Sequence, residues 1–111
     1  MAYTEKRLVR GSALTGSLAT YYTATAPVLK TIIKEITFCN THTSAVAVTM
    51  NIIPAAGSAA VANTEFSAVT LQPGETKIFG RTDVMETGDF IQAFASTAAV
   101  VAFTVSGVER T

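Results

Sequence analysis

Charge is scarce in this sequence. Asp, Glu, Lys and Arg make up 14% of the 111 residues, against roughly a quarter in an ordinary soluble domain. The eight basic and eight acidic residues cancel, so there is no whole-chain field to draw in DNA, RNA or an anionic membrane. Cysteine is present only as Cys39, which excludes an intrachain disulfide and a zinc site built on several thiolates, and which suits a reducing compartment. Histidine occurs once, as His42. No apolar run reaches the length of about 18 residues that crosses a bilayer. Met1 to Arg10, with Glu5, Lys6, Arg7 and Arg10, lacks the apolar stretch of a signal peptide. Cytosolic synthesis, without a membrane or nucleic-acid partner, is the expectation.

What the chain has in plenty is apolar surface, 49% of residues by type. So few charges cannot cover a free surface, and an extended apolar area usually marks contact with another protein. The competing reading is a mild, neutral surface of Ala and Thr that keeps a monomer soluble. The length suits a single domain with one core.

The dominant period is two. In Ala45 to Ile53 the positions Val46, Val48, Met50 and Ile52 are large and apolar, and the residues between them are small or polar. Val101, Phe103 and Val105 repeat the pattern, as do Leu14, Leu18 and Tyr22 on one parity. Phe66 to Leu71, Glu75 to Phe79 and Phe90 to Ala95 are rich in β-branched and aromatic residues. Gln72-Pro73-Gly74-Glu75 places Pro and Gly where a type II turn requires them, Gly88-Asp89 marks a second turn, and Pro54 to Ala60 is a loop of small residues. Leu29, Ile32, Ile33 and Ile36 carry helical spacing after Pro27, yet the β-branched content of Thr31 to Thr37 favours a strand. Seven or eight short strands without a long helix predict an all-β, antiparallel, jelly-roll-like β-sandwich.

Enzyme chemistry finds few residues to work with. Cys39 and His42 are three positions apart, but in an extended strand they face opposite sides, and a structural zinc needs four ligands. Asp83, Glu86 and Asp89 lack the spacing of a calcium loop and read as turn-forming acids. No phosphate-cradling glycine loop, nucleophile elbow or His-Glu-x-x-His is present. The sequence thus predicts no catalytic residue, no metal and no cofactor. Tyr21 and Tyr22, with Tyr3, offer aromatic surface for packing or for a sugar.

The order Gly16-Ser17-Leu18-Ala19-Thr20-Tyr21-Tyr22-Thr23-Ala24, Ile33-Lys34-Glu35-Ile36, Leu71-Gln72-Pro73-Gly74-Glu75-Thr76, Gly88-Asp89-Phe90-Ile91-Gln92-Ala93 and Val105-Ser106-Gly107-Val108-Glu109 resembles small structural proteins of tailed bacteriophages, over nearly the whole chain. The resemblance implies a β-sandwich virion component made in the host cytoplasm, either a capsid decoration or head accessory protein or a tail part, and supplies no catalytic residues. On that basis residues 1–10 are expected as a polar N-terminal arm and 11–111 as the sandwich. The expected partners are further copies of the chain, as a homo-oligomer and specifically a trimer, and other virion proteins such as the major capsid protein. Lys6, Arg7 and Arg10 of the arm, Pro54 and Gly57 of the small-residue loop, and Tyr21 and Tyr22 are the expected contact residues. In the tail or baseplate alternative, Tyr21 and Tyr22 face solvent and meet host-surface carbohydrate.

Overall fold

A computed structural model describes residues 2–111 and resolves the alternating segments into eight strands: β1 (Tyr3–Ala13), β2 (Ala19–Thr23), β3 (Lys30–Asn40), β4 (Val46–Ile53), β5 (Thr64–Leu71), β6 (Thr76–Glu86), β7 (Phe90–Ala95) and β8 (Val101–Arg110). A short 3-10 turn at Val61–Asn63 precedes β5. The strands form two four-stranded antiparallel sheets, ordered β1-β8-β3-β6 (sheet A) and β2-β7-β4-β5 (sheet B). The pairs β1·β8, β2·β7, β3·β6 and β4·β5 are nested. The chain is therefore one long hairpin, closed at β4·β5 and rolled so that alternate pairs fall in opposite sheets. This is the jelly roll expected from the sequence.

The core lies between the sheets. Ile33, Ile36, Phe38, Met85, Phe103 and Val105 of sheet A meet Val46, Val48, Met50, Leu71, Ile91 and Ala93 of sheet B, all buried. Phe38 and Phe103 stack with ring centroids 5.2 Å apart, and Phe66, Phe79 and Tyr21 pack edge-on against this pair. The turn at Gln72–Glu75 forms as expected, with the Glu75 amide donating to the Gln72 carbonyl at 3.0 Å and Gly74 at a φ of 73°.

Two expectations are corrected. Residues 3–10, expected as an arm, are most of β1, which pairs with β8 along its length. Leu8 and Val9 bury their side chains in the core, and the polar residues around them belong to an edge strand. Met1 lies outside the described residues. Leu14, Leu18 and Tyr22 do not share a strand: Leu14 is buried just after β1, and Leu18 is exposed in the connection to β2. The helical spacing of Ile33 and Ile36 has a local cause. Lys34 is an extra residue in β3 relative to β8, a bulge that turns both isoleucines inward although they are three apart.

Candidate functional site

The register of sheet A sets two rows of side chains across its outer face at one end of the sandwich. One row runs Glu5, Val108, Ile32, Val84, and the next Tyr3, Arg110, Lys30, Glu86. A shallow recess of about 190 Å³ is lined by Tyr3, Lys30, Ile32, Val84, Val108 and Arg110. Its floor is apolar, and its rim carries Lys30 in an ion pair with Glu86. Tyr3 is 63% exposed and Val84 57%. The buried Nε of Arg110 has no hydrogen-bond partner among the described residues.

Lys6, Arg7 and Arg10 come together on β1 and line a second shallow depression. Lys6 is paired with Glu109 at 3.2 Å. On the opposite side of the sandwich Arg81 of β6 sits between Glu65 and Asp83 and lies 5.2 Å from the Phe66 ring centroid. Burial, followed by the neighbouring Asp83 charge, pushes the Glu65 carboxyl up from its ordinary range, and Arg81 only partly opposes this.

Pro54 and Gly57 lie in an exposed loop whose geometry is fixed from below. The amide of Gly57 donates to the Pro54 carbonyl at 2.9 Å, and a Cβ on Gly57 would stand 3.0 Å from that oxygen. Asn51, buried on β4, donates to the Ala60 carbonyl, Asn63 Oδ1 and Thr64 Oγ1. The loop is therefore held in one shape, and it presents Val61 at 95% exposure.

Tyr21 and Tyr22 do not form the solvent-facing aromatic pair of the carbohydrate alternative. A bulge in β2 turns both toward the core. Tyr21 packs on Phe103, and its hydroxyl accepts the Thr15 amide proton. Tyr22 donates its hydroxyl proton to Glu109 and is bonded to buried Thr31. Burial and then the Glu109 carboxylate push the Tyr22 phenol well above its ordinary value. This half-buried link between the sheets joins residues 87 positions apart and is not visible in any local pattern.

Cys39 is partly buried, and the His42 amide donates to Asn40 Oδ1 in the turn after β3. Asp89 is a turn former as expected, accepting from the amides of Ala55 and Glu86. Asp83 and Glu86, expected in the turn, lie instead in β6 in ion pairs. Among the described residues no group of three or more His, Cys, Asp or Glu is gathered as for a metal ion, and no helix is long and apolar enough to cross a membrane.

No protein-family model matches this chain, and no curated protein matches it in sequence. Solved structures do share its fold. A chain from Bacillus endospore appendages, described as disulfide-linked pili, matches with a TM-score of 0.59 at 11% identity, over 98% of this chain and 88% of that one. A chain of the T13 particle of infectious bursal disease virus gives 0.55 at 11% identity, and one from the Gx strain of that virus 0.52 at 15%. Each covers 97% of this chain, which spans 30% of the viral chains. At such identities the likeness is one of fold: the described residues form an eight-stranded jelly roll, of a kind that also occurs in a pilus and in a virus particle.

Proposed function

We propose that this protein is a non-enzymatic structural subunit of a bacteriophage virion, a decoration or head accessory protein that stabilises the shell by bridging neighbouring subunits. The observation that carries the proposal is the outer face of sheet A, where Tyr3, Ile32, Val84 and Val108 form an apolar floor rimmed by Lys30 and Arg110. An apolar patch rimmed by a few polar groups on a preformed scaffold is the usual anatomy of a protein contact. The charge-poor composition and the particle-forming neighbours of the same fold support it. The partner on this face is the shell itself, with its major capsid protein.

A pilus subunit is the second reading, favoured by the endospore appendage likeness. One thiol works against the disulfide-linked form of it. A subunit joined covalently to a neighbour on each side needs at least two cysteines, and these 111 residues hold only Cys39.

Sedimentation of purified protein with phage heads lacking it tests the proposal. Saturable, stoichiometric co-sedimentation, weakened on the order of tenfold by Val84→Asp, is expected. Protein left in the supernatant at every head concentration refutes it.

A further inference from the structure

The net charge of zero conceals a segregation by edge. β1, one margin of sheet A, holds Lys6, Arg7 and Arg10 against Glu5, a surplus of two positive charges. At the opposite margin of the sandwich, β6 of sheet A is neutral by itself, but β5 of sheet B and the turn between them add Glu65 and Glu75, so that Glu65, Glu75, Asp83 and Glu86 stand against Lys77 and Arg81, a surplus of two negative charges. The remaining charged residues balance. Within the chain Lys6 is already paired with Glu109, and Glu86 with Lys30. Arg7 and Arg10 make no ion pair among the described residues, and Arg81 has one more carboxylate beside it than it can neutralise.

Both margins end on strands with an unpaired edge, and β1 and β6 are each 11 residues long. Strand directions alternate across the four strands of sheet A, so β1 is antiparallel to β6. A second copy set alongside in the same orientation therefore brings its β1 antiparallel to the first copy's β6, and the alternation continues unbroken. Edge charges ordinarily prevent strands from pairing with strangers. Here they have opposite sign on the two margins, so like edges repel and unlike edges attract.

We infer that copies of this chain associate side by side, the cationic β1 edge of one against the β6 edge of the next, where Glu65 of β5 and Glu75 of the adjoining turn make the margin acidic, so that sheet A continues from subunit to subunit. The inference deepens the assembly role proposed above and rests on it for its biological setting. The contact is heterologous: each copy uses two different surfaces, and the array closes into a ring or runs on according to the angle between neighbours. A three-membered ring, the oligomer expected from the sequence, is one such closure.

Two variants separate this contact from any self-complementary one. Arg7→Glu with Arg10→Glu spoils the β1 edge and leaves β6 intact. Thr76→Lys with Thr82→Lys, at exposed outward positions of β6, spoils the other edge and leaves β1 intact. Light-scattering mass of the wild-type chain is expected to show an oligomer, and each variant alone a monomer, with association weakened on the order of tenfold or more per altered charge. Mixed together, the two variants are expected to recover association, since the intact β6 edge of one meets the intact β1 edge of the other and the two altered edges now carry opposite charges. Raising salt from low ionic strength is expected to dissociate the wild type as charges across the seam are screened. Arg7→Gln with Arg10→Gln, a gentler change, is expected to give the same loss if the reversed pair folds poorly by circular dichroism.

A monomeric wild type, an oligomer unchanged in either variant or in salt, or a mixture that stays monomeric overturns the inference. Head co-sedimentation distinguishes the two claims. Wild type that binds heads as a monomer loses the edge contact and keeps the virion role; wild type that oligomerises through its edges but ignores heads does the reverse.

Discussion

Replacing Gly107 with alanine tests how closely sheet A is built. Gly107 lies in β8, flanked by β1 and β3, and is paired with Ile33 and Lys6. Its φ is not in the left-handed region, so the backbone there suits any residue. The obstacle is space: a Cβ would lie well inside contact distance of the Ile32 carbonyl oxygen and 3.1 Å from Leu8 Cδ1. Leu8 belongs to a bulge of β1 and fills the room that a side chain would take. Overpacking costs about 1–3 kcal/mol where side chains can yield. Here the β3 backbone must yield, which also strains a ladder hydrogen bond worth about 1 kcal/mol. A loss of about 3–4 kcal/mol is expected, or a fall of roughly 2 M in the urea midpoint for a domain of this size. Gly80 in β6 supplies the control, because a Cβ there meets nothing within 4 Å and its φ is likewise ordinary. Gly80→Ala is expected to stabilise by about 0.4–1 kcal/mol through the unfolded chain. Urea titrations of both variants read the difference. Equal shifts, or a Gly107→Ala loss under about 1 kcal/mol, would refute the packing argument.

Phe38→Ala removes the ring at the centre of the aromatic cluster and is expected to cost about 3–5 kcal/mol, a large part of the about 5–15 that hold a domain together, measured by the same titration. Tyr22→Phe strands Thr31 and Glu109 and is expected to cost about 1–3 kcal/mol at neutral pH. Because the Tyr22 phenol is raised in the folded state, its contribution is complete below the ordinary value of 10.0 and is lost as pH climbs through the higher folded value. The gap between wild type and Tyr22→Phe should therefore narrow above pH 10.0, and a gap constant with pH would contradict this. Asn51→Ala leaves the carbonyl of Ala60 and the side chains of Asn63 and Thr64 without their donor; limited proteolysis should cut the 54–63 loop faster while the remaining strands stay protected.

Much of the fold was legible because period two and turn chemistry are local. Val46, Val48 and Met50 face the core as the alternation requires, and Pro73-Gly74 makes its turn. The errors come from bulges. An added residue places Leu8 and Val9 side by side in the core and turns Tyr21 and Tyr22 inward together, and each of these broke the pattern that would have announced a strand or a core position. The site was less legible still. Tyr3, Ile32, Val84 and Val108 share a recess only through the register of four strands, and the sign of each edge depends on strand order. Lys6, Arg7 and Arg10 were found because they are close in sequence; their acidic counterparts, Glu65 and Asp83, are not.

The nesting of the strands also orders events during synthesis. β8 lies between β1 and β3, so β1 has no partner until residues 101–110 leave the ribosome. At about 5–20 residues per second, the 87 residues between these strands take roughly 4 to 17 s to be translated. Throughout that interval β1 has no partner in sheet A, and β3 lacks one of its two. The β1 edge of sheet A is therefore completed only with the last strand, whereas β3 and β6 are free to pair before it is made.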